Sequence, residues 1–229
     1  LGFLATGYKT ADAVREDIAA LRSLSDRPFG VNLMLLTPHI DELVEMVVDE
    51  GIHAVTTGAG NPGKYMSALK GRGIKVLTVV PSVALAKRME SIGADAIIGE
   101  GMEAGGHIGE LTTMALVPQV VDSVSIPVIA AGGIADGRGI AAVFMLGAQG
   151  VQIGTRFLVA EECTIHDEYK KLVIKCRDID SRVTGRSGGH PVRCIKSPLV
   201  RVLEDMEKNG ACFEELEEVT IGSLRKAVK

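Results

Sequence analysis

The chain alternates from its first residues between short apolar, β-branched runs and longer segments with helical spacing. The apolar runs are LGFLA, FGVNLML, HAVTTG, IKVLTVV, DAIIGEG, IPVIAAGG and GVQIGTRF, with segments such as TPHIDELVEMVVDEG and PSVALAKRMESIG between them. Strands that are apolar on both faces, linked by helices, are typical of a parallel sheet. The alternation therefore predicts a βαβ array, in which Gly51, Gly73, Gly93 and Gly147 stand at the helix C-caps.

Seven strand–helix units precede a change of pattern near Glu161, whereas a closed (β/α)8 barrel needs eight. With 229 residues, 46% of them hydrophobic, the chain is long enough for one large core, so we expect an α/β protein of the TIM barrel type. Because the chain starts directly on a strand and without Met, we expect that an N-terminal βα unit is missing. We predict barrel strands two to eight over residues 1–160, a small cap or lid segment over 161–212, and a C-terminal helix over 213–229 that returns to the barrel.

The charge pattern excludes several classes of partner. A formal net charge of −4 without any Lys/Arg block argues against nucleic acid and against an anionic membrane surface. We expect no signal peptide, and no apolar stretch of this sequence is long enough to span a bilayer. The four cysteines form no CxxC motif and have no His at zinc-finger spacing, so we expect reduced thiols, no metal site and a cytoplasmic location. A small-molecule partner is expected.

Two consecutive strands late in the array end on glycine turns. IPVIAAGGIADG ends one strand with Gly132 and Gly133 and opens a helix at Asp136, while GVQIGTRF ends the next with Gly154 and Thr155. As strands seven and eight of a TIM barrel, their loops would bind phosphate through bare amides and helix N-termini. A lone Gly-Gly pair would indicate only a tight turn. Two such turns in succession, one with a Thr hydroxyl, predict a phosphate site.

The stretch EGMEAGGHIGE, residues 100–110, puts two glycines and a histidine directly after the apolar run DAIIG. As the sixth barrel strand, this run would deliver Glu100 to the carboxyl rim, where TIM barrels keep their active sites. Gly105 and Gly106 would let the backbone approach a flat ligand, with His107 pointing over it. An isolated histidine is more often an ordinary rim residue of a flexible loop. The position at the rim and the adjacent glycines favour a functional role for His107.

Several stretches carry a resemblance to a known family: FGVNLMLLTP, VTTGAGNP, VVPSVALAKRMESIGADAIIGEGMEAGGHIGELTTM, IPVIAAGGIADG and GVQIGTRF. They resemble the flavin-dependent enoyl-(acyl-carrier-protein) reductase II family, within the nitronate monooxygenase-like FMN barrels. The resemblance runs from Leu1 to about Ala160 and more loosely, through GHPVRCIKSPL, to the end. It implies a TIM barrel that holds FMN, followed by the cap. Members normally also have a Gln-Gly-Gly-Met-type turn after strand one and a Gly-Ser-rich C-terminal segment; neither occurs here, so the resemblance implies a longer natural polypeptide.

The same resemblance assigns roles to individual residues. His107 resembles the active-site histidine, Asn32, at the end of its strand, resembles a flavin-ring contact, and Glu100 lies where nitronate monooxygenases usually have Gln, which favours the reductase. Gly133 and residues 152–155 resemble the grip on the FMN phosphate. The predicted catalytic residue is therefore His107, and the predicted cofactor-binding residues are Asn32, Glu100, Gly105, Gly106, Gly132, Gly133, Gln152, Gly154 and Thr155.

The implied reaction is the reduction of 2-enoyl thioesters by NADH or NADPH in fatty acid synthesis. The implied partner is acyl carrier protein or its acyl thioester, and members are often homodimers. His107 would either hydrogen-bond the thioester carbonyl or supply a proton, and both roles stay open. Two other functions also stay open, a nitronate monooxygenase and a non-catalytic barrel that binds a phosphate ligand.

The predicted cap contains the stretch SRVTGRSGGHPVRCIKSP, whose composition suits a mobile lid over the barrel mouth. Its polar residues would either meet the phosphates of NADPH or of a pantetheine arm, or lie in a solvated loop. The residues concerned are Arg182, Arg186, His190, Arg193 and Lys196.

Overall fold

The computed structural model describes residues 1–7 and 9–223. Its strands are β1 (Phe3–Ala5), β2 (Gly30–Met34), β3 (Ala54–Gly58), β4 (Lys75–Val80), β5 (Ala96–Glu100), β6 (Gly106–His107), β7 (Val128–Ala131), β8 (Gly150–Gln152), β9 (Ser181–Thr184) and β10 (Val192–Ile195). Its helices are α1 (Ala11–Leu24), α2 (Ile40–Asp49), α3 (Gly63–Gly71), α4 (Val83–Ser91), α5 (Thr113–Val121), α6 (Gly137–Met145), α7 (Thr155–Leu158), α8 (Asp167–Lys175), α9 (Pro198–Lys208) and α10 (Phe213–Thr220).

The main sheet is parallel and strongly curled, with the strand order β1-β2-β3-β4-β5-β7-β8. All seven strands predicted from the apolar runs are present, so the α/β class and the parallel sheet are confirmed. Within the described residues β1 and β8 each pair with one neighbour, and the sheet forms a half-barrel of the TIM type. The four predicted C-cap glycines all have positive φ, which reverses the chain after each helix.

The two faces of the sheet are distinguished by which side chains pack against the helices. Val31 and Leu33 of β2, Val55 of β3 and Ile97 of β5 are fully buried on the helix side. Burying such a side chain contributes about 1.5–3 kcal/mol, which fixes the register of each strand. Because successive residues of a strand point to opposite faces, the residues between them line the concave side of the sheet.

The predicted cap contains α8, β9, β10 and α9, and its sheet has the order β6-β10-β9. The outer strand, β6, comes from the stretch that carries His107, so the cap and that stretch share one antiparallel sheet. The ring of Phe213, at the start of α10, lies 4.7 Å from the ring of His190 in the cap. The final part of the predicted C-terminal helix, residues 224–229, lies outside the described residues.

Among residues 1–7 and 9–223, no helix is both long enough and apolar enough to cross a bilayer.

Candidate active site

Three predicted cofactor-binding side chains share the concave face of the sheet. Asn32, Glu100 and Gln152 alternate with residues that pack on the helix side, so their side chains project from the opposite face. Glu100 and Gln152 both pair with Ala131, at the carboxyl ends of β5, β8 and β7. The fold therefore brings Glu100 and Gln152 to one rim of the half-barrel, with Asn32 on the same concave face.

Asn32 lies deeper than the sequence indicated. It was expected at the end of its strand, but it is the third of the five residues of β2 and pairs with Ala5 and Thr56. Its side-chain oxygen accepts a hydrogen bond of 2.8 Å from the Thr56 hydroxyl, and its backbone carbonyl accepts one of 2.7 Å from Thr6. No described residue accepts from its amide nitrogen, which leaves a fixed donor on the concave face.

Glu100 is largely buried, and burial raises its pKa to about 7. None of the described residues forms an ion pair with it, so nothing offsets the cost of removing the carboxylate from water. A carboxyl group in this state is partly protonated at neutral pH and can donate a hydrogen bond as well as accept one. The Glu100 carboxyl group can therefore pair with either a hydrogen-bond donor or an acceptor of a ligand on the concave face.

The raised pKa of Glu100 predicts an unusual dependence of stability on pH. Between pH 4.5 and about 7 the folded protein holds a proton that the unfolded chain has released, so its free energy of unfolding falls as the pH rises. The loss is at most about 3 kcal/mol. Above pH 7, Glu100→Gln is therefore expected to be more stable than the parent. Most of this difference in stability is expected to disappear as the pH is lowered from 8 to 5.

The measurement is urea unfolding of the flavin-free protein at pH 5 and pH 8. Glu45→Gln, at an exposed position of α2, is the matched control and is expected to unfold like the parent at both pH values. An identical pH dependence in Glu100→Gln and the parent would show that the carboxyl group titrates normally.

The stretch that carries His107 is a fixed loop. Its base is closed by a 2.8 Å hydrogen bond from the Met102 amide to the Leu111 carbonyl. At its tip, His107 pairs with Val192 of β10, and the Ile108 amide donates to the Pro191 carbonyl at 3.0 Å. These hydrogen bonds tie the backbone at His107 to β10, which an ordinary rim residue of a flexible loop would lack. Its imidazole is exposed and has no hydrogen-bond partner among the described residues, so it is open to a ligand.

A network that the sequence did not reveal joins this loop to the next two elements. The carboxylate of Glu103 accepts hydrogen bonds of 2.9 Å from both the amide and the hydroxyl of Thr113, at the start of α5. The same hydroxyl lies 2.9 Å from the carbonyl of Gly132. A Cβ on Gly132, whose φ is +97°, would come within 2.7 Å of the Gly101 carbonyl. Glycine is therefore required where these two rim loops touch.

The two predicted phosphate-binding turns lie side by side. Gly133 and Gly154 each follow the paired residues Ala131 and Gln152 by two positions, on neighbouring strands. Both glycines are exposed, and within residues 1–7 and 9–223 neither amide donates to a protein acceptor. A Cβ built on Gly105 would lie 3.6 Å from the Thr155 hydroxyl, so the His107 loop closes over the second turn.

The helix contribution to this site differs from the expectation. Asp136 is the predicted first residue of its helix, but its carboxylate accepts from the amides of Arg138 and Gly139 and occupies the N-terminus of α6. The helix after Gly154, α7, has only four residues. Anion binding at these turns would therefore depend on the loop amides and the Thr155 hydroxyl, with little help from helix dipoles.

The basic residues of the cap make contacts within the chain. Arg186 pairs with both oxygens of Glu110 at 2.7 and 2.8 Å, which ties the cap to the His107 loop. Arg182 lies 3.6 Å from Glu204, and Lys196 lies 3.8 Å from Asp180. Arg193 donates to the Met102 carbonyl and to the Ser181 hydroxyl, each at 3.0 Å. These contacts hold the cap together and attach it to the site.

Comparison with known proteins places this site within one family. The nitronate monooxygenase family model matches residues 1–43 and 37–229. The chain is 50% identical to FabK from Thermotoga maritima, with a TM-score of 0.96 over 100% of this chain and 73% of that one. It is 33% identical to a probable nitronate monooxygenase from Staphylococcus saprophyticus, over 90% of this chain and 72% of the relative.

A further relative carries a different name. The chain is 36% identical to the (3aS,4S,5R,7aS)-5-hydroxy-7a-methyl-1-oxo-octahydro-1H-indene-4-carboxyl-CoA dehydrogenase of Rhodococcus jostii, over 89% of this chain. It spans only 58% of the length of that relative. The structural match to FabK agrees with the half-barrel described above. The chain therefore belongs to the nitronate monooxygenase family of flavin-dependent oxidoreductases.

Proposed function

We propose that this protein is an FMN-dependent enoyl-(acyl-carrier-protein) reductase that takes its electrons from NADH or NADPH. The observation that carries the proposal is the length of the connection between β2 and α2. The two segments matched by the family model overlap at residues 37–43. This overlap includes the end of the connection, which in this chain comprises only residues 35–39. Of the relatives named above, the probable nitronate monooxygenase has extra residues in the matched region compared with this chain, whereas the CoA dehydrogenase does not.

The alignment lengths make that difference quantitative. The Staphylococcus saprophyticus protein aligns over 254 residues yet covers 90% of this 229-residue chain, so it carries roughly 50 residues that this chain lacks. The Rhodococcus jostii CoA dehydrogenase aligns over 204 residues and covers 89%, so it has no such excess. FabK is 50% identical to this chain, against 33% for the Staphylococcus saprophyticus protein. The agreement in length with a relative that is named for a CoA thioester supports a thioester as the substrate.

The residues of the rim fit an FMN group. The amides of Gly133 and Gly154, which donate to no acceptor among the described residues, and the Thr155 hydroxyl would supply donors for its phosphate. The Asn32 amide and the partly protonated Glu100 offer polar contacts for the edge of its ring system. Exposed glycines at 105 and 106 leave room for a flat group under the His107 loop.

The proposed chemistry divides between the cofactor and the chain. Bound FMN would supply transfer of hydride from NAD(P)H to the β-carbon of a 2-enoyl thioester, while a proton reaches the α-carbon and the double bond becomes single. His107 would hydrogen-bond the thioester carbonyl, where negative charge develops, or deliver that proton. Acyl carrier protein as the carrier, a homodimeric state and a cytoplasmic location complete the proposal and rest on the family resemblance.

The test is an anaerobic assay of the full-length protein. Absorbance in the blue is expected from the purified protein because of bound FMN, and NADH or NADPH oxidation is expected to depend on a crotonyl thioester. Absence of blue absorbance would instead favour a barrel that only binds a phosphate ligand.

The nitronate monooxygenase alternative is favoured by the name of the matching family model. Nitroalkane under air is therefore the second arm of the assay. Turnover of the nitroalkane without any thioester-dependent oxidation of NAD(P)H would overturn the reductase proposal in favour of that alternative.

A further inference from the structure

One residue of the cap contacts the His107 loop at two separate points. Arg193 pairs through its backbone with Gly106, next to His107 at the tip of the loop. Its side chain reaches back to the base of the loop, where Nε donates to the Met102 carbonyl at 3.0 Å. A second guanidinium nitrogen donates to the Ser181 hydroxyl at 3.0 Å, which fixes the side chain to the cap sheet.

The half of this loop next to His107 has no side-chain hydrogen bond of its own among the described residues, in contrast to Glu103, whose carboxylate accepts from Thr113. It contains Gly105 and Gly106, the latter with a φ of +86°, and neither has a side chain that packs on a neighbour. Glycine backbones sample many conformations unless hydrogen bonds restrain them. The contacts with β10 therefore help to set the distance from the loop base to the imidazole of His107, and Arg193 contributes one contact at each end.

We propose that Arg193 is a positioning residue for His107, an inference that rests on the proposed function of the site. The planar guanidinium carries several donors in a fixed geometry, so one side chain can bind the Met102 carbonyl and the Ser181 hydroxyl together. Both acceptors are neutral oxygens of the protein itself. This role replaces the earlier expectation that Arg193 contacts a phosphate of NADPH or of a pantetheine arm.

A second arginine provides a matched control. Arg186 also links the cap to the His107 loop, through its ion pair with Glu110. The two side chains are 45% and 70% exposed, and exposed ion pairs contribute little to stability. Arg186 is paired with the outer end of the loop, and among the described residues it makes no hydrogen bond to Met102 or Gly106. Its removal is expected to leave both turnover and loop protection near the values of the parent.

The experiment compares Arg193→Met, Arg193→Lys and Arg186→Met in the full-length enzyme. Both Arg193 variants are expected to lower kcat by about 10-fold or more, because a small displacement of a catalytic group is costly. The KM for NAD(P)H and the flavin spectrum are expected to stay unchanged. Hydrogen exchange at the amides of residues 106–108 is expected to accelerate in the Arg193 variants but not in Arg186→Met.

Three results would overturn the proposal. A wild-type kcat in Arg193→Lys would show that charge alone is needed, and a raised KM for NADPH with unchanged kcat would show a phosphate contact. Unaltered exchange at residues 106–108 would remove the anchoring role, even if the parent enzyme proves inactive on thioesters. If Arg193→Met does not fold, Arg193→Lys alone tests the proposal. Lysine keeps the length and charge of the side chain but lacks the planar set of guanidinium donors.

Discussion

Replacement of His107 by alanine should leave the protein yellow while thioester-dependent oxidation of NAD(P)H falls by about 10²-fold or more. The imidazole is exposed at the tip of a loop whose backbone is held by β10, so removing it leaves the loop in place. The flavin-binding groups of the rim lie on other residues. The measurement is kcat with a crotonyl thioester under anaerobic conditions, together with the visible spectrum.

Two further variants separate the possible roles of this histidine. Glutamine at position 107 can donate a hydrogen bond but cannot deliver a proton at neutral pH, so activity retained in His107→Gln would indicate polarisation of the carbonyl. His190→Ala is the matched control, because that ring packs on Phe213 in the cap. Full activity in His107→Ala would make His107 an ordinary residue of the rim.

Substitution of Gly133 by valine should lower FMN affinity by on the order of 10²-fold, since hydrogen bonds to a charged group are among the strongest in proteins. Gly133 has a φ of +71°, which a β-branched residue adopts only with strain, and its Cβ would lie 3.0 Å from the Glu103 side chain. A shift of this turn would misdirect the exposed amide. FMN titration followed by absorbance measures the change.

Gly137→Val is the control for that experiment. A Cβ on Gly137 meets nothing within 4 Å, its φ is not positive, and it lies only four residues further along the same loop and helix. Far-ultraviolet circular dichroism establishes that both variants fold. Equal FMN affinity in Gly133→Val and Gly137→Val would show that the phosphate does not bind at this turn. It would also argue against the assignment of these strands as barrel strands seven and eight.

Most of the main sheet could be predicted because its signal is local. Val31, Leu33, Val55 and Ile97 lie in short apolar runs, and the period of two then places Asn32 and Glu100 on the opposite face. The end of β2 was harder to predict, because Leu35 and Leu36 continue the apolar run beyond Met34. That continuation gives no local sign of where the strand stops.

The contacts that shape the site were not predictable for a different reason. The strand that contains His107 has two residues, too few for any periodic pattern, and its partner Val192 lies far along the chain. Glu103 accepts from Thr113, ten positions later, which no local capping pattern would reveal. Asp136, by contrast, is an ordinary N-cap in sequence, and its carboxylate occupies the end of α6 as that pattern predicts.

The link between Arg193 and Met102 spans 91 positions of the chain, and this has a consequence for the time at which the site forms. At ribosomal rates of about 5–20 residues per second, the loop emerges roughly 5–20 s before the strand that holds it. The parallel strands β1 to β5 have already been synthesised when the loop emerges. Closing so long a segment costs conformational entropy, which only the contacts of the finished cap sheet offset. Maturation of the histidine-bearing loop is thus a late event in biosynthesis, after most of the wall that surrounds it has been synthesised.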